Sequence, residues 1–201
     1  MKKIIKLSLF IICLVILSYE YLVDMIRPND FDTIILCNGD VLESPQDISK
    51  GYYDIEVLEG TVSVGLISLK KGEVYHNYHV TKGTKLFIDD GQGKIKISQA
   101  KKNKFVDECF EIREVGNYII GEDIQEGKYR ITLKSKHFIN ESVTCYLKDE
   151  NENGIDQFTF HKLCEQAVMN FRKGEKVFVE RRTEINQDKS PVSLEFEQIS
   201  Q

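Results

Sequence analysis

The chain has 201 residues, of which 41% are hydrophobic and 29% charged, with only 3 prolines. This excludes a disordered tail or a collagen-like fibre and suits one ordinary domain or two small ones. The net charge is −5, and the short basic runs Lys101–Lys104 and Arg181–Arg182 lack interleaved aromatic residues. The composition therefore argues against a nucleic-acid-binding protein.

The N-terminal segment, residues 1–26, predicts membrane targeting. Three lysines among the first six residues precede the apolar run Leu7–Leu17, which continues with interruptions to Ile26. An 11-residue run fits a cleaved signal peptide, but no A-x-A-like cleavage site follows it. A single-pass signal anchor needs about 20 apolar residues and places Glu20 and Asp24 at the outer interface. We favour the anchor over the cleaved peptide, and both over a buried helix of a soluble domain.

The positive-inside rule puts the N-terminus in the cytoplasm and the bulk of the chain across the membrane. If the segment is cleaved, the protein is secreted instead. Three lysines against Glu20 and Asp24 give residues 1–26 a charge of +1, so the remainder carries −6. An acidic exterior part argues against binding polyanions.

Residues 33–98 predict a first β module. Its segments are short, rich in β-branched or aromatic residues, and bounded by Gly-containing turns, which is typical of a sandwich or barrel. The predicted strands are Thr33–Cys37, Tyr52–Leu58, Gly60–Ile67, Val74–Val80, Thr84–Ile88 and Lys94–Ser98.

A polar interval, Gln99–Lys104, predicts the boundary to a second β module at residues 105–199. Within it, Lys162–Met169 is the stretch that could form a helix. The fold class is therefore all-β: two small tandem β-sandwich or barrel-like modules after an N-terminal transmembrane helix. The strands predicted in the second module are Phe105–Arg113, Tyr118–Ile120, Tyr129–Leu133, Ser142–Leu147, Gln157–Phe160, Val177–Val179 and Val192–Phe196.

The two predicted modules share a motif, D-I-x-x-G-x-Y-x-I, at Asp47–Ile55 and Asp123–Ile131. A Lys-Gly turn follows in both, at Lys82 and Lys173, but the second interval is fifteen residues longer. We expect the extra residues mainly in the Asp149–Gly154 hairpin and the stretch after it, because lengthening a loop costs little entropy. Chance recurrence of Lys-Gly is the alternative to duplication.

The motif predicts structural roles rather than a binding site. The Asp accepts hydrogen bonds from turn amides, the Gly adopts a conformation that a Cβ would penalise, and the Tyr and Ile line one side of the next strand. The residues concerned are Asp47, Gly51, Tyr53, Asp123, Gly127 and Tyr129.

The segment Val115–Tyr129, with the later Phe171–Val179, resembles an uncharacterised small β module of secreted and membrane-anchored proteins from Gram-positive bacteria. That module has a pattern close to G-x-D-I-P-A-G-x-Y. Here Gln125 and Glu126 replace the usual Pro-Ala, and the first copy of the motif lacks the upstream Gly. The resemblance covers residues 115–199 well and 40–98 loosely. It implies the fold and an exterior location, and it brings no catalytic residues.

One stretch resembles the start of a calcium-binding loop. Asp149, Asn151 and Asn153 match D-x-[DN]-x-[DN]-G, whose alternating oxygens suit a hard cation. The closing Glu is missing, because Phe160 stands at the twelfth position. The alternative is a solvated hairpin turn.

The histidines do not form a metal-binding pattern. His76 and His79 are three residues apart on a predicted strand and so face opposite sides, and His137 and His161 are isolated. We expect each of them at the surface or at a sheet edge rather than as a ligand.

Four cysteines, Cys37, Cys109, Cys145 and Cys164, follow the membrane segment and permit up to two disulfides. None lies in a C-x-x-C, which argues against zinc or thioredoxin-type chemistry. Cys109 and Cys145 stand in apolar strand patterns, so buried free thiols are the alternative to disulfides.

The sequence carries no G-x-S-x-G and no phosphate-binding loop. We therefore expect no enzymatic activity and no cofactor. The leading hypothesis is a membrane-anchored, non-catalytic β protein that binds another protein or a polymer of the cell envelope. The alternatives are a small-ligand or calcium-binding module and an envelope enzyme of unknown class.

Overall fold

The computed structural model is all-β in the part of the chain it describes. The predicted anchor and His137 lie outside the described residues. In the part described, no helix is long and apolar enough to cross a membrane. The described residues are 33–64, 67–88, 93–101, 104–105, 107–134, 141–183 and 193–199.

The strands fall into two series along the chain. The first half contains β1 (Ile34–Cys37), β2 (Val41–Glu43), β3 (Gly51–Glu59), β4 (Thr61–Val64), β5 (Ile67–Lys70), β6 (Val74–Val80), β7 (Lys85–Phe87) and β8 (Lys94–Gln99). The second half contains β9 (Cys109–Ile112), β10 (Val115–Ile119), β11 (Gly127–Lys134), β12 (Glu141–Lys148), β13 (Gly154–Phe160), β14 (Gln166–Phe171), β15 (Lys176–Thr183) and β16 (Ser193–Gln198).

The helix considered for Lys162–Met169 is wrong. Gln166–Phe171 forms β14, in which buried and exposed residues alternate one by one. This period of two is that of a strand with one buried face. A second difference concerns Gly60–Ile67, predicted as one strand, which contains β4 and the start of β5.

Most of the strands pair in antiparallel fashion, and one parallel contact joins the two halves. The largest sheet has the order β1-β8-β3-β6-β10-β15-β12-β13, a second has the order β14-β11-β16-β9, and β2-β7 and β4-β5 form two-stranded sheets. The parallel contact lies between β6 and β10, where Val115 pairs with Tyr75 and Gly116 with His76. This contact makes the eight-stranded sheet continuous across the two halves.

The same connectivity occurs in both halves. In the first, the strand order β6-β3-β8-β1 matches β14-β11-β16-β9 in the second. The pairs β2-β7 and β4-β5 likewise match β10-β15 and β12-β13. Each strand of the first half therefore corresponds to the strand eight places later.

The aspartates of the repeated motif make the same hydrogen bond in both halves. Asp47 accepts from the amide of Glu43 and Asp123 from the amide of Ile119, each at 2.9 Å. Both bonds reach back four residues to the end of the preceding strand. Each aspartate thus ties its turn to that strand.

The motif tyrosines also correspond. Tyr53 donates its hydroxyl to the carbonyl of Ser49 at 3.0 Å, and Tyr129 to that of Gln125 at 3.1 Å. Both rings are buried. Burial raises the pKa of both phenols, which remain neutral donors at physiological pH. Gly51 and Gly127, two residues before each tyrosine, have φ values of +153° and +152°.

Each half has its own hydrophobic core. Along β15, Val177 and Val179 pack into the second core, whereas Phe178 between them packs against the first. Along β10, Tyr118 lies in the second core and Val115 in the first. Because successive side chains point to opposite faces of a sheet, the two cores lie on opposite faces of these strands.

Candidate functional site

The hairpin β12–β13 is the main difference between the halves. Its strands have eight and seven residues, whereas the corresponding β4 and β5 have four each. The longer hairpin pairs with β15 and so extends the eight-stranded sheet. Its turn, residues 149–154, contains the predicted calcium ligands.

The predicted calcium ligands lie together, but Asp149 uses its oxygens within the turn. One oxygen accepts from the amides of Asn151 and Asn153 at 2.9 and 2.8 Å, and the other from Asn153 Nδ2 at 2.9 Å. The hydrogen bonds from Asn153 hold the pKa of Asp149 below its ordinary value. Among the described residues, no group of three or more His, Cys, Asp or Glu is placed to hold a metal. Calcium binding remains a prediction.

The turn also reaches the first half through Glu152. Its carboxylate pairs with Lys176 Nζ and lies 3.7 Å from Lys148 Nζ. Lys176 Nζ in turn lies 5.8 Å from the ring centre of Tyr52 on β3. Burial opposes the charge of Lys176, but hydrogen bonds to Glu152 and Tyr52 outweigh it and raise the pKa. Lys176 therefore links the hairpin turn to the first half as a cation.

Aromatic rings cross the junction between the halves. The ring of Phe178 stacks on Tyr75 of β6 at 6.2 Å and on Tyr146 of β12 at 5.8 Å. Tyr78 packs edge-on against Tyr75 at 5.3 Å, and Lys148 Nζ lies 5.0 Å above the ring of Phe178. Such contacts stabilise beyond the area they bury.

Next to these rings, Tyr52 and His79 stack at 4.6 Å with an interplanar angle of 16°. His79 is exposed and Tyr52 half-buried. Partial burial and then the charge of Lys176 lower the pKa of His79, so the imidazole is neutral at physiological pH. We call this surface the aromatic rim; it comprises Tyr52, His79, Tyr146, Lys148, Glu152 and Phe178, together with Tyr75 and Lys176, which are buried but contact them.

A buried carboxylate orients one ring of the aromatic rim. Glu180 is buried and accepts the hydroxyl of Tyr146 at 2.9 Å. This bond fixes the outer ring of the Tyr75–Phe178–Tyr146 stack. Of the rings in the aromatic rim, His79 is exposed and Tyr52, Tyr146 and Phe178 are half-buried, whereas Tyr75 is buried. The exposed and half-buried rings, with lysines and Glu152 beside them, suit binding by stacking and hydrogen bonding.

His76, which follows Tyr75 on β6, corrects an expectation from the sequence. The prediction that it lies at the surface or a sheet edge is wrong: it is 1% exposed, on the central strand β6. Its Nδ1 lies 2.8 Å from a carboxylate oxygen of Asp54, which also accepts the amide of Asn77 at 3.1 Å. Partial burial opposes ionisation of Asp54, but the hydrogen bonds from His76 and Asn77 outweigh it and lower the pKa.

The buried polar residues continue across the junction. Asn77 donates its Nδ2 to the carbonyl of Asn117 and to Asp123, both at 3.0 Å, and Asn117 returns a bond to the carbonyl of Asn77 at 3.0 Å. We call Asp54, His76, Asn77, Asn117 and Asp123 the polar seam. Its histidine is enclosed by protein, so a substrate from solvent would not reach it, and the hydrogen bonds join the two halves.

The remaining histidine and the thiols are dispersed, and His161 lies at the surface as expected. The four described cysteines are free thiols: Cys145 is buried, which raises its pKa to about 12, whereas Cys37, Cys109 and Cys164 are exposed. Burial of Cys109, expected from its apolar strand, is wrong: Cys109 begins β9 on the exposed face, whereas Phe110 and Ile112 of the same strand are buried.

Comparison with known proteins does not assign this chain to a family. No family model matches the chain, and no curated protein matches it. A solved structure, the stem and receptor-binding domain of the spike protein P1 from bacteriophage PM2, aligns over 82% of this chain and 94% of that chain at 11% identity. Its TM-score of 0.18 is too low to support an argument.

The sequence did not point to the aromatic rim or the polar seam. One signal for the seam was present: the eighth position of the motif is Asp54 in the first half and Arg130 in the second. A charge reversal inside a repeated motif marks a position with a different environment in each half. No comparable signal marked Phe178, because its neighbours come from distant strands.

Proposed function

We propose that this chain is a membrane-anchored, extracytoplasmic, non-catalytic β protein that binds a protein or polymer of the cell envelope through the aromatic rim. The observation that carries the proposal is the stacked pair of Tyr52 and the exposed His79. Residues 1–26 supply the anchor, with the N-terminus cytoplasmic and the bulk outside.

We also propose that residues 33–98 and 105–199 are two copies of one β module. The matching strand order and the matching motif hydrogen bonds support this. The copies differ in the long β12–β13 hairpin, which contributes Tyr146, Lys148 and Glu152 to the aromatic rim. Binding thus depends on the part of the second copy that the first lacks.

The composition of the aromatic rim suits a partner with both apolar and polar groups. Tyrosines offer a broad apolar face and a hydroxyl at little cost in conformational entropy, and such residues dominate binding energies at interfaces. Lys148 and Lys176 are balanced by Glu152 and the buried Glu180, so these residues add no net charge to the surface. We expect a partner with hydroxyl groups beside apolar faces, such as a protein surface or a sugar-based polymer.

The test is crosslinking of the full chain in the membrane of the cells that make it. We expect a crosslinked adduct in wild type that is reduced at least about tenfold in the Tyr52→Ala, His79→Ala double variant, because the energies of two interface side chains are lost. Protease or glycosidase treatment of the adduct then distinguishes a protein partner from a polymer.

The matched control is Arg130→Ala, Glu197→Ala, which removes an exposed ion pair at 2.7 Å on the other sheet. This variant should form the adduct as wild type does. Absence of any adduct in wild type, or equal losses in both double variants, would contradict the proposed role of the aromatic rim.

A further inference from the structure

The second half has a cavity at the position that corresponds to the Tyr52–His79 pair. Tyr52 pairs with His79 between β3 and β6, and Lys128 pairs with Asn170 between β11 and β14. Because β3 and β6 correspond to β11 and β14, Lys128 and Asn170 take the places of Tyr52 and His79. They line a cavity of about 880 Å³, whereas Tyr52 and His79 form a stacked pair. One position of the repeat thus carries two different surfaces.

The lining of this cavity is largely polar, and we call the site the charged groove. Its volume lies within the range of small-molecule sites, but such sites are lined mostly by apolar side chains. Here side chains with both signs of charge stand beside two amides, and all of them are exposed or half-buried. They are Glu108, Glu126, Lys128, Asn170, Arg172 and Gln198.

The four charged side chains of the charged groove are not paired with one another. In the part of the chain that the structure describes, no ion pair within 4.0 Å joins either glutamate to the lysine or the arginine. Elsewhere on the same sheet, Arg130 pairs with Glu197 at 2.7 Å and Lys134 with Glu195 at 3.1 Å. The charges of the charged groove are therefore open to a ligand.

One amide of the charged groove lies over the glycine of the repeated motif. A Cβ on Gly127 would lie 2.4 Å from Nε2 of Gln198, and the same nitrogen donates to the carbonyl of Glu126 at 3.3 Å. In the first half, the nearest described atom to a Cβ on Gly51 is 3.7 Å away, on the ring of Tyr53. Gly127 therefore leaves room for an amide at the charged groove that has no counterpart over Gly51.

The charges indicate the class of ligand. The two carboxylates and two cations cancel, so an ion of either sign would meet like charges as well as opposite ones. A neutral ligand would cover these side chains without compensating their charge, which costs free energy. A ligand with both an ammonium and a carboxylate group compensates both signs, and its peptide groups can form hydrogen bonds with the amides of Asn170 and Gln198.

We propose that the charged groove binds a zwitterionic amino acid or short peptide. Arg172 and Lys128 hold the carboxylate, for which the guanidinium fork is well suited. Glu108 and Glu126 hold the ammonium group. The inference goes beyond the binding proposed for the aromatic rim and does not depend on it, because the two sites share no residue.

The test is isothermal titration calorimetry of the detergent-solubilised full chain with glycine, diglycine and triglycine, whose charged ends lie progressively further apart. At least one of them should bind with a Kd of about 1 mM or tighter, and high salt should weaken the binding. Acetylation of the ammonium group or amidation of the carboxylate should weaken it at least about tenfold, because a hydrogen-bonded charge is lost.

Two double variants assign the ends of the ligand. In Lys128→Gln, Arg172→Gln the carboxylate has no cation, so the peptide and its amide should bind equally. In Glu108→Gln, Glu126→Gln the peptide and its acetylated form should bind equally, because removing one partner of a contact makes the loss of the other silent. If a double variant has lost its β-sheet circular dichroism, Arg172→Gln or Glu126→Gln alone replaces it.

The matched control is Glu111→Gln, Arg113→Gln, which removes an exposed ion pair at 2.7 Å outside the charged groove and should bind the peptide as wild type does. The Tyr52→Ala, His79→Ala variant should also bind it, which separates a failure of the aromatic rim from a failure of the charged groove. No binding of any of the three ligands, equal binding of the blocked peptides by wild type, or a loss of binding in either control would overturn the proposal.

Discussion

The strands β6 and β14 occupy the same place in their halves, yet their outer edges differ. The edge of β6 is covered by β10 and carries His76 and Asn77, both buried, with Asn77 at a φ of +53°. β14 alternates regularly and exposes Val168. The difference shows how a strand edge that joins two halves of a chain differs from its counterpart: buried hydrogen-bonding groups mark the edge of β6, whereas β14 carries an exposed apolar side chain.

The same contrast appears at the eighth position of the repeated motif. Asp54 is part of the polar seam and bonds His76 and Asn77. Arg130 instead forms an exposed ion pair with Glu197 at 2.7 Å. Exposed pairs contribute little to stability, whereas breaking a buried one leaves its partner without compensation.

The largest expected effect comes from Gly116, where the halves touch most closely. Alanine would place a Cβ 2.1 Å from the oxygen and 2.6 Å from the nitrogen of His76, at a φ of +137°. We expect Gly116→Ala to lower the free energy of unfolding by about 3 kcal/mol or more, through backbone displacement and strain. Urea denaturation of the full chain measures this decrease in the free energy of unfolding.

The matched control is Gly174→Ala, at a φ of +89° with no heavy atom within 4 Å of the added Cβ. It should cost about 1 kcal/mol, the ordinary penalty of a left-handed conformation. Equal losses in the two variants would show that the close approach of β10 to β6 does not hold the halves together.

A smaller effect is expected from substitutions at the eighth position of the repeated motif, which is Asp54 in the first half and Arg130 in the second. Asp54→Asn should lower the free energy of unfolding by about 2 kcal/mol, because hydrogen bonds to a charged, partly buried group are lost. Arg130→Gln should cost less than about 0.5 kcal/mol. The same denaturation assay compares them, and a larger loss for Arg130→Gln would contradict the assignment of Asp54 to the junction.

The pH dependence gives a second check on Asp54. Because the folded-state pKa lies below the ordinary value of 3.8, its contribution is present above that pH and is lost as the pH falls through the folded pKa. The stability difference between wild type and Asp54→Asn should therefore shrink below about pH 4. Burial raises the pKa of Glu114, so Glu114 changes stability with pH in the opposite direction. Because Glu114 is present in both proteins, it does not affect the difference between them. A difference that grows with acidity would contradict the account.

Much of the fold could be predicted from local sequence. The predicted run Tyr52–Leu58 lies within β3, which is one residue longer at each end, and Val74–Val80 coincides with β6, because short runs of β-branched and aromatic residues between turns favour strands. The strand β14 was missed because Ala167 and Met169 also suit a helix. Only the pairing with β11, which buries both residues, makes the strand evident.

The candidate site could not be predicted from local sequence. The stack of Tyr75, Tyr146 and Phe178 joins residues from three strands that are far apart in sequence, and no local pattern encodes such a contact. The burial of His76 depends on β10, which closes the edge of β6 from the other half. The Asp149 turn, by contrast, is a local structure, and a hairpin there could be recognised from the sequence. The predicted Asn-Gly turn is wrong in detail, because the residue with positive φ is Glu152, at +68°, and Gly154 begins β13.

The most direct test of the difference between β6 and β14 is amide hydrogen exchange of the full chain. We predict that the amides of β6, which lies between β3 and β10, exchange much more slowly than those of β14, which pairs with β11. Equal exchange rates in β6 and β14 would contradict the assignment of β6 to the junction between the halves.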